Sequence, residues 1–158
     1  IGRRQRQMCI RDSFIIVLTI RGLILSEVDE IIKDFEFLES WEDKYQMIID
    51  MGKSLPELDD MYMNDNYRLK GCQSTVYFVS KLNKDKTLSF KANSDAFIVK
   101  GLIALILKVF NNKSPSDILT TDLDFLKTIG LDQHLSVTRK NGLSSMIDRI
   151  KLEAKKNK

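Results

Sequence analysis

The amino-acid sequence predicts an α+β domain in which a small antiparallel β-sheet packs against several helices. Two runs between residues 74 and 92 are rich in Thr, Val, Tyr, Phe and Leu, and a polar turn separates them, which is typical of a β-hairpin. Segments with helical spacing of apolar residues stand on both sides of this hairpin. A bare hairpin is marginally stable in water, so we expect the helices to cover one of its faces.

Two amphipathic helices are predicted before the hairpin. Residues 26–39 form the first, and the second begins after Ser40, a capping residue with Asp43 three positions later. Gly52 is expected to end the second helix. The polar connection over 53–70 is long for a compact domain, and connections of this length are usually functional or mobile.

The hairpin and the elements after it follow from the same patterns. Strands are predicted over 74–82 and 87–92, with a turn between them. The next predicted helix, 95–111, is apolar almost all round and is therefore expected at the centre of the domain. Shorter helices are predicted over 115–119 and 122–129, and a last helix is predicted to begin near Asn141.

The first 25 residues are expected to be non-native. Residues 3–13 resemble the translated adaptor of transposase-based sequencing libraries, and the stretch after them resembles read-through from upstream of a start. We therefore expect one domain over 26–152, followed by a basic tail over 153–158.

The charge balance changes when this segment is set aside. The chain has 25 Lys+Arg and 22 Asp+Glu; residues 1–25 hold five Arg and one Asp, which leaves 20 basic against 21 acidic residues. No basic patch of the kind that nucleic-acid binding requires remains, apart from the lysine-rich end. The apolar runs are too short for a membrane span. We expect neither nucleic acid nor membrane as a partner.

Cys72 is the strongest functional candidate, because it is the only cysteine between residues 26 and 158. It follows Gly71, at the point where the polar connection becomes a strand. A lone cysteine cannot close an internal disulfide or hold a metal cluster, but its thiolate can accept and carry a sulfur atom. The alternative is an inert thiol that only fills space, since free cysteine is among the most buried residue types.

Other chemistry is poorly supported. His134 is the only histidine, and one histidine with one cysteine does not make an ordinary zinc site, so we interpret it as structural and predict no metal site. The absence of a C-x-x-C motif disfavours a thioredoxin-like reductase. An iron–sulfur scaffold would need several thiolates, which makes that class improbable as well.

Five groups of residues resemble, in order and spacing, the motifs of the SufE family of iron–sulfur cluster assembly. They are WEDKY and IDMGKSLP (41–45, 49–56), GCQSTVY (71–77), NSDA (93–96), IVKGL (98–102), and GL, LSVTR and NGL (130–131, 135–139, 141–143). Thr75 stands where the family usually has Arg, and Tyr77 where it often has Trp; these departures leave the thiol untouched.

The resemblance implies a sulfur carrier rather than a stand-alone enzyme. Cys72 would accept persulfide sulfur from a PLP-dependent, SufS-like cysteine desulfurase, stimulate that enzyme, and pass the sulfur to a SufBCD-like iron–sulfur scaffold in the cytoplasm. The chain itself would bind no cofactor, since PLP belongs to the partner. The alternative is a non-catalytic interaction module that regulates a desulfurase, with Cys72 structural.

The resemblance also assigns supporting residues and a fold. The implied fold is SufE-like and related in shape to iron–sulfur scaffold folds, and the chain could be a monomer or a homodimer. The residues expected to shape or support the thiol loop are Gly71, Gln73, Ser74 and Arg139, and those expected at the partner face are Asp95 and Lys70.

Overall fold

The structure, a computed structural model, describes residues 27–158. Helix α1 extends through the described residues to 37, and α2 spans Trp41–Lys53. Ser40 caps α2 as predicted, because its Oγ accepts a hydrogen bond from the backbone N–H of Asp43 at 3.1 Å. The expected non-native segment 1–25, together with Ser26, lies outside the described residues.

The connection after α2 is more ordered than its polar sequence indicates. It contains a 3-10 helix over Asp60–Tyr62, and it then runs antiparallel beside the first strand of the hairpin. The pairing joins Arg68 to Tyr77 as an isolated bridge. No pattern in the sequence predicts this contact, which adds a short third segment to one edge of the sheet.

The predicted hairpin is confirmed. Strand β1, Val76–Leu82, pairs antiparallel with β2, Leu88–Ser94, with Val76 opposite Ser94 and Leu82 opposite Leu88. Successive side chains of a strand point to opposite faces, and one face of this sheet is buried on the helices through Val76, Phe78, Leu88, Phe90 and Ala92.

Helix α3, Phe97–Phe110, is the buried centre of the domain, as its apolar sequence predicts. It crosses α2 at very short range, since an alanine Cβ at Gly101 would lie 2.1 Å from the carbonyl oxygen of Ile48. Its first helical residue is Phe97 rather than residue 95, and Ser94 Oγ accepts from the N–H of Ala96 at 3.3 Å just before it. Among residues 27–158, no helix combines the length and apolar character needed to cross a membrane.

Four helices complete the described chain: α4, Pro115–Thr120; α5, Phe125–Thr128; α6, Leu131–His134; and α7, Val137–Lys156. The prediction that the last helix begins near Asn141 is wrong by one turn, because Ser136 caps α7 by accepting from the N–H of Arg139 at 3.3 Å. The expected basic tail over 153–158 is helical as far as Lys156. Glu153 in that stretch is buried and paired, which gives the end of α7 a fixed position.

Candidate functional site

Cys72 lies in a short loop that two backbone hydrogen bonds hold at its base. The N–H of Leu69 donates to the carbonyl of Val76 at 2.8 Å, and the N–H of Phe78 donates to the carbonyl of Tyr67 at 2.9 Å. Leu69 and Val76 are both buried. The six residues 70–75 therefore leave the sheet edge and return to it from two anchored positions.

Gly71 gives this loop its direction. Its φ is +92°, in the left-handed region where a side chain is disfavoured. A Cβ at this position would also lie 2.6 Å from Ser145 Oγ on α7. The backbone conformation therefore favours glycine, and a larger residue would also force the Ser145 side chain to turn away.

The thiol of Cys72 is half-buried and points toward α7. Its Sγ donates a hydrogen bond to the backbone carbonyl of Gly142 at 3.6 Å, within the range for sulfur. Burial raises the pKa of the Cys72 thiol, because removal from water disfavours the thiolate. The resting site therefore favours the protonated, unreactive thiol.

The thiol opens onto a cavity of about 40 Å³ between the loop, α3 and α7. The walls are mostly apolar. They include Val76 from β1, Val99, Leu102 and Ile103 from α3, and Leu143 and Met146 from α7. A cavity needs only about 10–15 Å³ of such volume to hold a water molecule, so this one is large enough for one further heavy atom on Sγ.

The polar part of the cavity wall contains three of the residues singled out from the sequence. Gln73 and Ser74 from the loop and Arg139 from the first turn of α7 line the cavity with Cys72. Arg139 is the one charged residue among the described residues that line it. The structure thus brings residues 72–74 together with a residue 65 positions farther along the chain.

The two residues expected at a partner face lie outside the cavity wall. Lys70 is exposed and lines a neighbouring groove with Tyr67 and Asp148. Asp95 is exposed in the bend between β2 and α3. Neither contributes to the cavity that holds the thiol.

Two apolar side chains at the starts of α3 and α7 are exposed. Phe97 and Val137 are each 73% exposed, and they stand at the first positions of α3 and α7. A cavity-lining residue follows closely after each, Val99 and Thr138 respectively. Both exposed side chains are therefore within two residues of the cavity wall along the chain.

Gly142 is the site residue whose role sequence reasoning missed. It belongs to the NGL motif, but only the structure shows that its carbonyl accepts the thiol hydrogen bond. A glycine inside a helix costs stability relative to alanine, so its position within α7 was a signal that something packs closely against it.

The residues interpreted as structural lie elsewhere. The imidazole of His134 stacks on the indole of Trp41, with ring centroids 3.7 Å apart, and the hydroxyl of Tyr45 donates to the carbonyl of His134. Across residues 27–158, no group of three or more His, Cys, Asp or Glu residues is arranged to hold a metal ion.

The comparisons with known proteins agree with one another. The family model "SufE: Fe-S metabolism associated domain" matches residues 29–154. An uncharacterized SufE-like protein of Rhizobium meliloti is 44% identical over 134 residues, which cover 82% of this chain and 96% of that protein. Another from Rhizobium etli is 41% identical over 137 residues, covering 84% and 93%.

The fold has also been seen in a solved structure. A hypothetical protein from Thermus thermophilus, solved in solution, superimposes with a TM-score of 0.68 at 17% identity, covering 83% of this chain and 95% of that one. Identity this low supports the shared fold alone. The family match and the two relatives show that the chain belongs to the SufE family, whose domain is associated with iron–sulfur metabolism.

Proposed function

We propose that this chain is a cytoplasmic sulfur carrier that accepts persulfide sulfur on Cys72 from a PLP-dependent cysteine desulfurase. It stimulates the desulfurase by removing that sulfur, and it passes the sulfur to an iron–sulfur cluster scaffold. The observation that carries the proposal is the position of Cys72. Its thiol lies on a loop anchored at both ends and faces an apolar cavity with spare volume.

The transfer is a thiol–persulfide exchange. The Cys72 thiolate attacks the terminal sulfur of the donor persulfide, a new S–S bond forms at Cys72, and the donor S–S bond breaks. The donor cysteine leaves as a thiolate with the electron pair, so no external oxidant or reductant is needed. PLP acts in the partner enzyme and has no role in this step.

The resting geometry supports a loop that shields the sulfur on Cys72 and opens to accept it. Burial raises the pKa of the Cys72 thiol, so a smaller thiolate fraction is present near neutral pH than for an exposed cysteine. Accepting sulfur therefore requires the loop to leave the cavity. Its return would place the outer sulfur atom in the space of about 40 Å³ beside Sγ, away from thiols in solution.

The surroundings of the loop support docking of a larger partner. Phe97 and Val137, at the first positions of α3 and α7, are each 73% exposed, and residues close to them along the chain line the cavity. Exposed charges stand nearby in sequence, among them Lys70 and Asp95. Apolar anchors with a charged rim are what a transient protein interface needs, since the apolar atoms give affinity and the charges orient the encounter.

The test combines turnover with mass. A cysteine desulfurase with cysteine and PLP is assayed for sulfide release with and without the full chain, and peptide mapping locates any added sulfur. We expect faster turnover and one added sulfur atom on Cys72, with both lost in Cys72→Ser. Cys9→Ser is the matched control, since it removes the other thiol of the chain and should change neither result.

The opposite outcome has a definite meaning. Stimulation that persists in Cys72→Ser would contradict sulfur transfer and favour the alternative, an interaction module that activates the desulfurase by contact.

A further inference from the structure

Gly142 occupies an unusual position in α7. It lies within the helix Val137–Lys156, where glycine is about 1 kcal/mol less favourable than alanine. Its φ is not positive, so its backbone conformation would accept any residue. The one heavy atom near an added Cβ, outside the helix itself, is Cys72 Sγ at 3.1 Å.

We propose that Gly142 is the positioning residue for the thiol: its bare backbone forms a seat that holds Cys72 as a protonated S–H group and keeps it inactive until the loop leaves. The inference rests on the proposed function, because it states when Cys72 can accept sulfur. It adds a residue and a protonation state to that function.

The direction of the hydrogen bond determines which protonation state of Cys72 it stabilises. A backbone carbonyl can only accept, so the 3.6 Å contact from Sγ to Gly142 is favourable only while the thiol keeps its proton. Deprotonation would turn this contact into one between a thiolate and a carbonyl oxygen, both negative. The thiolate would then be driven out of the seat toward solvent, where it can attack a persulfide.

Few charged groups among residues 27–158 lie near the thiol. The loop contributes Gln73 and Ser74 to the cavity wall, and α3 and β1 contribute apolar side chains only. The one charged group in the described wall is the exposed Arg139 on α7, which by itself would favour the thiolate. Burial raises the pKa of Cys72, and the hydrogen bond to the Gly142 carbonyl lies within the same half-buried, mostly apolar surroundings.

Gly142→Ala should unseat the thiol without unfolding the helix. The added Cβ at 3.1 Å is tighter than an ordinary contact, and the Cys72 side chain can relieve it by turning away. Alanine also favours the helix by about 1 kcal/mol. The expected result is alkylation of Cys72 about three- to tenfold faster at neutral pH, because each unit of lowered pKa raises the thiolate fraction up to tenfold.

The experiment is a pH profile of alkylation by iodoacetamide on the full chain, with each thiol followed by peptide mass. Cys9 serves as the internal reference, and Ser144→Ala, an exposed substitution two residues along the same helix, is the matched control. Leu143→Ala enlarges the same cavity while leaving the Gly142 carbonyl in place. Circular dichroism confirms that each variant is folded.

We expect the apparent pKa of Cys72 to fall in Gly142→Ala and to remain at the wild-type value in Ser144→Ala. Leu143→Ala should move it less than Gly142→Ala does. The proposal is overturned if the profile of Gly142→Ala matches that of the wild type, or if Leu143→Ala shifts it equally, since general burial would then hold the thiol.

The desulfurase assay separates this inference from the proposed function. Faster alkylation in Gly142→Ala without sulfur loading in any variant would support the role of Gly142 and contradict the sulfur-carrier function. Sulfur loading of the wild type, with identical alkylation profiles for the wild type and Gly142→Ala, would support the sulfur-carrier function and contradict the role of Gly142.

Discussion

Replacing Gly101 by alanine should destabilise the domain more than any other helical Gly→Ala change in residues 27–158. The added Cβ would stand 2.1 Å from the carbonyl oxygen of Ile48, 2.5 Å from its Cγ2 and 2.6 Å from its carbonyl carbon. Two of these atoms are backbone, so no rotamer change can relieve the clash. Helices α2 and α3 must therefore separate.

The geometry sets the size of the effect. Since real Cβ contacts essentially never fall below 3.0 Å, the helices must move apart by about 1 Å, and such a gap forfeits about a quarter to a half of each contact's dispersion energy. We expect a net loss of about 2–4 kcal/mol, after subtracting the gain of about 1 kcal/mol in helix propensity. That is a large share of the roughly 5–15 kcal/mol that stabilises a typical domain.

Three glycines in helices provide an internal comparison, because the same substitution gives a similar propensity gain at each. The nearest atom to an added Cβ is a backbone atom at 2.1 Å for Gly101, a backbone atom at 2.7 Å for Gly52, and a side-chain sulfur at 3.1 Å for Gly142. The free energy of unfolding should therefore fall most for Gly101, less for Gly52, and little or not at all for Gly142.

Urea unfolding followed by circular dichroism measures the ranking. With a slope of about 1–3 kcal/mol per molar urea, the midpoint of Gly101→Ala should drop by about 1–2 M. A Gly101→Ala protein within about 0.5 kcal/mol of the wild type would refute the close crossing of α2 and α3. So would a larger loss at Gly142 than at Gly101.

Three further changes test other parts of the structure. Glu153→Gln should lower the free energy of unfolding by about 1–2 kcal/mol in urea, because its buried carboxylate accepts from a serine hydroxyl and pairs with two cations, whereas the exposed Glu36→Gln should have little effect. Gly130→Ala should cost about 1–2 kcal/mol, since φ is +83° and the new Cβ would lie 2.9 Å from Trp41 Cζ2; a melting temperature equal to wild type would contradict this. Because burial raises the pKa of Cys72, the folded state holds the thiol proton more tightly than the unfolded chain does. The stability that this proton contributes is complete below the unfolded pKa and is lost as pH rises above about 8.5. In urea titrations at pH 7 and 10, the free energy of unfolding should therefore decline less in Cys72→Ala than in the wild type.

The elements that sequence predicted well are those whose pattern is local. Ser40 and Asp43 form the predicted cap, and the alternation in the strands places Phe78 and Phe90 on the buried face. Helix α3 was predicted as the central element because nearly every residue in it is apolar. In each case a few neighbouring residues determine the outcome.

The start of α7 was missed because its first turn carries almost no apolar stripe. Val137 is 73% exposed, so the stretch from Ser136 to Asn141 lacks the spacing that marks a buried helical face. The cap at Ser136, which accepts from the N–H of Arg139, was the available signal. The predicted start near Asn141 left Arg139 before the helix and Gly142 in its first turn. The sequence therefore did not indicate that both residues lie beside the thiol.

The cavity could not be predicted from the sequence, because the residues that line it are distant from one another along the chain. Cys72 meets Gly142 across 70 residues, and Leu102 joins them from a third element. Local patterns determine each element but not which faces of α3 and α7 converge. The bridge between Arg68 and Tyr77 is of the same kind, since one isolated pair leaves no alternating pattern.

The contacts that hold the loop on α7 are weak in a way that suits a thiol that must move. The hydrogen bond from Cys72 Sγ to the Gly142 carbonyl is 3.6 Å long, and a thiol is a weak donor. The loop residues 70–75 are exposed or half-buried, whereas the flanking Leu69 and Val76 are buried. Opening the loop would break this weak bond and uncover part of the apolar cavity wall, while the backbone hydrogen bonds of Leu69 and Phe78 at its base can stay in place. The loop can therefore release the thiol without breaking the pairing of the strands.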